Sequence, residues 1–294
     1  MVIEVRNPRM LDLVDENAGL EVLADGFGFL EGPAWHPGKG FLIFSDIFGD
    51  RMHRWDADRG ISTYRHPSGM ANGNFYDKRG RLITCEHATS RVSRTELDGT
   101  VAVIADRYRG LALNSPNDVV VKSDGSIYFT DPTFGRTEPF GVLRDPELSF
   151  QGVYRIDPAG ELSLLINDFA QPNGLCFSRD EKRLFIDDSE RMHIRVLSVL
   201  PDGSLGDSSI WAVPEGDGDG LLDGMRLDSA GNLYCCGPGG IHVFDLEATP
   251  LGVIHVPEVT ANFTWGGEDL RTLFVCASTS LYCITVRAPG IPEF

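Results

Sequence analysis

One pattern returns six times along the chain. The units read "EGPAWHPGKGFLIFSD", "ANGNFYDKRGRLITCE", "PNDVVVKSDGSIYFTD", "PNGLCFSRDEKRLFIDD", "LDGMRLDSAGNLYCCG" and "ANFTWGGEDLRTLFVC". Aligned on the pivots Gly32, Asn72, Asn117, Asn173, Asp223 and Asn262, they lie 40, 45, 56, 50 and 39 residues apart. A unit of that size cannot bury its apolar face alone, so neighbours must stack on one another. Asp46, Glu86 and Asp131 each follow their pivot by 14 residues, and Asp188 follows its own by 15. An apolar run, a Gly- and Asp-rich turn and a second run fill that interval. A third run such as "RMHRWDAD" or "GVYRIDPAG" follows, then a fourth such as "ISTYR" or "LSLLIND". Short runs of Val, Ile, Phe and Tyr bounded by Gly, Asp, Asn and Pro are strand signals, and helical periodicity is nearly absent. Four antiparallel strands repeated six times predict an all-β chain folded as a six-bladed β-propeller. Residues 1–294 are read as one propeller domain, with 1–18 as an N-terminal extension.

The ends of the chain supply a check. The sixth unit has only three strands before "APGIPEF", whereas "GLEVLAD", residues 19–25, is a strand with no unit before it. The early strand is expected to complete the last blade, which leaves no open sheet edge in the ring. Two stacked sandwiches would predict neither the orphan nor the vacancy.

Composition narrows the partners. Net charge is −17, from 26 Lys and Arg against 43 Asp and Glu, without a basic run. This argues against nucleic acid and anionic membrane surfaces as partners. The N-terminus lacks an apolar signal region, and no apolar run reaches the length of a membrane span. A cytoplasmic protein is expected, its oligomeric state left open. The six cysteines form no C-x-x-C and sit mostly in strand-like runs, so they read as buried reduced thiols.

In a propeller the first strand of each blade lines the central channel, so the pivots meet at one mouth. Four units place an oxygen donor there or one residue away: Glu31, Asn117, Asn173 and Asp223. Two carboxylates and two amides form an oxygen-only set suited to a divalent cation, Ca²⁺ first, with Zn²⁺, Mg²⁺ or Mn²⁺ as alternatives. Asn, Asp and Gly before a strand are also turn formers, and on the residues alone both readings stand. Asn72 and Asn262 occupy the same position and fit either. Asp118 is expected to point away from the channel by strand alternation.

The segments "LEGPAWHP", "SPNDVVVKSDGSIYFTDP", "QPNGLCFSRD" and "LLDGMRLDSAGNLY", in that order, resemble the signatures of the gluconolactonase / senescence-marker-protein (regucalcin-like) family. "CEH" is most similar to its bacterial gluconolactonase branch. The resemblance implies a six-bladed propeller with one catalytic divalent cation that hydrolyses sugar lactones such as glucono-1,5-lactone. Carried over motif by motif, it implies Glu31, Asn173 and Asp223 as metal ligands, Asn117 at or next to the metal, and Asp223 as the base. Two positions depart from the animal members: Ser115 stands where they carry Arg, and Gly135 where they carry a substrate-binding Glu. Substrate contacts are therefore sought elsewhere, at Ser115 itself, Asn72, the strand-end residues Glu86, His87 and Asp131, which are also the alternatives to Asp223 as the base, and Trp265 with Phe134 as an apolar wall. A metal-bound water acting without Asp223 is the other expected route to attack. A phosphotriesterase on the same site, or a binding propeller with a structural metal, are the competing functions. There is no G-x-S-x-G, H-E-x-x-H or phosphate loop.

Overall fold

Each Gly- or Asp-centred turn in the repeats reverses the chain, so successive apolar runs pair as neighbours. In the computed structural model, which describes residues 2–292, this produces six four-stranded antiparallel sheets in chain order. Their innermost strands are Leu30–His36, Ala71–Tyr76, Val119–Val121, Pro172–Phe177, Met225–Leu227 and Thr260–Gly266. They define blades 1 to 6 of a six-bladed β-propeller. Asp46, Glu86, Asp131 and Asp188 each end the second strand of their blade, as the repeat register predicted. Apolar side chains fill the wedges between blades. Tyr128 and Val153 of blade 3, for example, pack with Leu175, Leu184 and Ile186 of blade 4.

The early strand closes the ring. Glu21–Ala24 pairs antiparallel with Ser280–Thr285, matching Glu21 to Cys283, Val22 to Tyr282 and Ala24 to Leu281. The segment before it does more than the sequence suggested. Ile3–Val5 adds a fifth strand to blade 5, pairing Ile3 with Ile254, Glu4 with Val253 and Val5 with Gly252. A single helical turn, Met10–Leu13, then seats Met10 in the core between blades 5 and 6. The alternation Ile3-Glu4-Val5 is a strand signal too short to read on its own, and here it covers an exposed sheet edge.

A shared irregularity marks the heads of the innermost strands. The ladder slips between Glu31 and Ala34, Ala71 and Asn74, Pro172 and Leu175, and Thr260 and Asn262. In blade 3 the Asn117 N–H donates to the Thr130 carbonyl at 2.9 Å, and the Thr130 N–H donates to the Asp118 carbonyl at 3.1 Å. Two residues thus oppose one, which is a β-bulge. A bulge suspends the alternation of side chains, so consecutive residues can face the channel.

All six cysteines are free; five are buried and Cys283 is half-buried. Among the described residues no helix is long and apolar enough to cross a membrane.

Met10 is fully buried, far along the chain from any pivot. Met10→Ala is expected to lower the unfolding free energy by about 2–4 kcal/mol in urea denaturation, with kcat unchanged.

Candidate active site

The pivots are drawn together by hydrogen bonds between blades. The Gly73 N–H donates to the Asn117 carbonyl at 2.8 Å, and the Gly224 N–H to the Ala261 carbonyl at 2.9 Å. Gly32 adopts φ +49, and a Cβ there would lie 2.0 Å from the Asn72 carbonyl oxygen, so only glycine permits this approach of blades 1 and 2. Second-strand residues brace the same rim: Ser45 Oγ donates to the Asn72 carbonyl and Thr130 Oγ1 to the Asn173 carbonyl, each at 2.8 Å.

Four carboxylates meet here. Glu31 is buried; its Oε2 accepts the Gly32 N–H at 2.8 Å and Asn262 Nδ2 at 3.2 Å. The Asp223 carboxyl lies within hydrogen-bonding reach of Glu31. Burial, then the Asp118 charge, pushes Glu31 up to about 8 against the pull of the Gly32 N–H. Burial and the charges of Glu31, Asp187 and Asp118 raise Asp223 well above the ordinary carboxylate range. Asp187 is raised the same way by burial and by Asp118. Asp118 reaches about 6, burial outweighing the favourable charge of Arg226 and the Val119 N–H. Asp118 is buried, its Oδ1 accepts the Val119 N–H at 2.9 Å, and it sits in the bulge, where side-chain alternation no longer fixes its direction.

Several oxygens are held ready without partners. Asn173 Nδ2 donates to Ser189 Oγ at 3.0 Å, and Ser189 Oγ donates onward to the Leu222 carbonyl at 2.6 Å. This fixes the amide and leaves Asn173 Oδ1 buried and unbonded. Asp223 is half-buried as a residue, yet its Oδ1 is closed from solvent and also unbonded, as are Asp187 Oδ1 and Asn72 Oδ1. Asn117, 4 % exposed, makes no side-chain hydrogen bond among the described residues. Buried acceptors without donors are costly. A divalent cation suits a donor set of two carboxylates with amide oxygens. Among the described residues no three His, Cys, Asp or Glu side chains form a cation cage; any site here needs the amides.

The remaining sequence candidates are placed differently. Asp131, with a proton affinity lifted to about 7 mainly by burial, accepts the Asn114 and Ser115 N–H groups at 2.9 and 2.8 Å. Asp46 and Asp188 make the same kind of bond to Phe29 and to Ala170, so this strand-end carboxylate pins the entry loop of its blade. Glu86 has no exposed surface and is consumed by Arg65, Arg91, Ser93 and Thr89. Ser115 Oγ donates to the Pro132 carbonyl at 2.6 Å and accepts the Gly135 N–H at 3.0 Å. Trp265 stands three residues past its pivot, roughly 10 Å along the strand. It lines a cavity of about 290 Å³ at the opposite mouth, beside Phe75, Phe177 and Arg226. Asp131, Glu86 and Ser115 are thus engaged in hydrogen bonds within the protein, and Trp265 lies away from the pivots.

His87 and Asn72 remain. His87 is buried, with Nδ1 2.8 Å from the Phe140 carbonyl and Nε2 3.1 Å from Asn72 Nδ2. Burial holds its pKa down at about 4. Phe140 belongs to a strap, residues 132–150, that the repeat pattern could not place. Arg144 ties the strap to the His87 carbonyl at 2.6 Å, and Arg136 ties it to the Asn114 carbonyl at 2.7 Å. Gly135 explains one departure noted above: a Cβ there would lie 2.6 Å from both His87 and Ser115 side chains, so no Glu fits. Phe140 meets Phe29 and Phe48 at ring distances of 5.0 and 5.2 Å, forming an aromatic patch beside the pivots. Asp118, Asp187, Ser189 and the strap are the site features that sequence reasoning missed. Only Asp187 left a trace, as the one carboxylate at a position that is Ser, Thr or Cys in the other five units.

Residues 29–279 match the model of the SMP-30/Gluconolactonase/LRE-like region. The gluconolactonase of Zymomonas mobilis is 31% identical, covering 97% of this chain and 86% of its own length. The pentonolactonase XacC of Haloferax volcanii is 26% identical, over 90% of this chain and 93% of its own. A solved gluconolactonase from Xanthomonas campestris superposes with a TM-score of 0.90 at 33% identity, covering 97% of this chain and 95% of that one.

Two stability tests follow from these contacts. Glu86→Ala strands the buried Arg65 and is expected to cost about 3–5 kcal/mol in chemical denaturation. His87 takes up its proton later than in the unfolded chain as pH falls. Its contribution is therefore complete above about pH 6.5 and is lost progressively toward pH 4, by up to about 3 kcal/mol. His87→Phe is expected to flatten the acid limb of a plot of stability against pH.

Proposed function

The chain belongs to the SMP-30/gluconolactonase/LRE-like family, and we propose that it hydrolyses sugar lactones, glucono-1,5-lactone among them, at a divalent cation in the pivot mouth. As a lactonase it joins relatives named for acting on gluconolactone and pentonolactone. The observation that supports the finer reading is that Asp223 neighbours both Glu31 and the Asn173 amide while Asp223 Oδ1 and Asn173 Oδ1 are buried and unbonded.

Glu31, Asn173 and Asp223 would hold the cation, with Asn117 beside it and Ca²⁺ the first choice for an oxygen-only set. Bound there, the cation would polarise the lactone carbonyl and offset the charge that develops on its oxygen. Ser189 keeps Asn173 Oδ1 turned to the site, and Gly32 and Asn262 orient Glu31. In this reading Asp223, whose Oδ1 makes no hydrogen bond in the protein, takes the proton of an attacking water. The water oxygen bonds to the carbonyl carbon, and the ring C–O bond then breaks. The departing ring oxygen takes the proton back from Asp223. The products are one hydroxyl and one carboxylic acid, which ionises at neutral pH. The acidic surface, net −17, does not hinder a neutral lactone and favours release of the anionic product. A cytoplasmic location is part of this proposal.

A pH-stat assay of glucono-1,5-lactone checks the reading. Dialysis against EDTA is expected to lower the enzymatic rate about hundredfold, with recovery on adding Ca²⁺. Asp223→Asn is expected to lower kcat by about 10²–10³-fold. Full activity in chelator-treated, metal-free protein would rule out the cation, and near-normal turnover of Asp223→Asn with metal retained would rule out the proton role.

A further inference from the structure

Asn72 ends a chain of hydrogen bonds whose direction can be worked out. The Phe140 carbonyl can only accept, so His87 Nδ1, 2.8 Å away, must carry the imidazole proton. With His87 neutral, Nε2 can then only accept. The Asn72 atom 3.1 Å from it must be the amide nitrogen. The chemistry of the two partners thus agrees with the amide orientation in the structure. Asn72 Oδ1 is left with no protein donor in a residue only 2 % exposed. Asn72 occupies the same register position as Asn117, Asn173 and Asp223, so that oxygen belongs to the rim of the same mouth. A buried acceptor held in one orientation by two further groups is arranged for a donor from outside the protein.

We propose that Asn72 Oδ1 accepts a hydrogen bond from a hydroxyl of the substrate, and that His87 is the positioning residue that holds this amide, itself anchored to the strap through the Phe140 carbonyl. The proposal rests on the lactonase reading and names the residue by which the site would prefer a hydroxylated lactone to a plain aliphatic one. The geometry supplies both parts of such recognition. The Phe29, Phe48 and Phe140 rings offer an apolar face beside the mouth. Asn72 offers one acceptor on its polar side. Phe140 contributes to both, its ring to the patch and its carbonyl to His87. The strap replaces the Arg and Glu that the animal pattern carries at Ser115 and Gly135, since Gly135 is packed against His87 and Ser115 too closely for any side chain. Discrimination by a pre-oriented polar group can be large, because a substrate lacking the hydroxyl leaves the acceptor unpaired.

The test compares glucono-1,5-lactone with δ-valerolactone, which has the same ring and no hydroxyl. Asn72→Ala is expected to raise KM for glucono-1,5-lactone about tenfold, with kcat within about threefold, and to narrow the kcat/KM preference for it by the same factor. His87→Phe, which cannot accept from the amide, is expected to act in the same direction. His87→Gln, whose carbonyl can accept, is expected to recover most of the preference. Equal losses on both lactones, an unchanged preference in Asn72→Ala, or His87→Gln behaving as His87→Phe would overturn the proposal. Imidazole ¹⁵N spectra of the wild-type protein give a reading independent of activity and of how the variants fold. The proton is expected on Nδ1, and a proton on Nε2 with lactonase activity intact overturns the relay alone. A wild-type protein inactive on both lactones overturns the lactonase reading, and with it the hydroxyl as the ligand of Asn72.

Discussion

Three residue pairs between Glu21–Ala24 and Ser280–Thr285 hold the ring shut. Everything at the channel mouth depends on that closure. The pivots come from six segments spread over more than two hundred residues, and only a closed ring brings the first of them beside the last. Asn262 donates to Glu31 across the join between blades 6 and 1. Cys276, near the end of a strand in blade 6, leans on the Glu31 backbone carbonyl. Blade 6, which the closing strand completes, therefore helps set the position of a carboxylate in blade 1.

Closure creates a second constraint, since it crowds like charges. Burial raises the proton affinity of all four carboxylates; the Asp118 charge adds to this at Glu31, Asp187 and Asp223, and the Glu31 and Asp187 charges add to it at Asp223. Like charges held together in a buried site cannot all ionise without compensation. The protein supplies part of it with Arg226, which lowers Asp118 and donates to the Phe263 and Pro33 carbonyls across the channel. Amides supply oxygen without charge. Their orientations are fixed by relays that end on backbone carbonyls, Leu222 for Asn173 and Phe140 for Asn72. A side chain so held loses little entropy when a ligand arrives, which is how a site is prepared before it is filled.

Much of this was readable in the chain. The repeat period gave six blades, and the orphan strand at 19–25 gave the closure. The equivalence of Glu31, Asn117, Asn173 and Asp223 pointed to one mouth. The sequence says least where the residue type is informative but its partner is distant. Asp131 and Glu86 end strands, as active-site acids often do, yet one accepts the N–H groups of its own entry loop and the other is paired with Arg65 and Arg91. Nothing local distinguishes a carboxylate that accepts backbone N–H groups from one that meets a substrate. Trp265 differs for another reason: three residues of strand carry it away from the pivots toward the cavity beside Phe75 and Phe177. For Asp118 alternation is no guide, because it holds only in a regular ladder, and the bulge is visible only once Thr130 is seen facing two residues.

By itself the sequence determined the architecture and the ring of oxygen-bearing pivots. Period, turn chemistry and strand pattern are local properties, and repetition multiplies a weak local signal six times. The tertiary structure alone decided which pivot oxygens are free. That depends on the partners of each polar atom, and those partners come from other blades or from the strap at 132–150. Asn72 shows the difference. The sequence places it at a pivot, where a turn former and a site residue look the same. Only the fold brings His87 and Phe140 against it, turns its amide one way and leaves its carbonyl oxygen unpaired at the mouth.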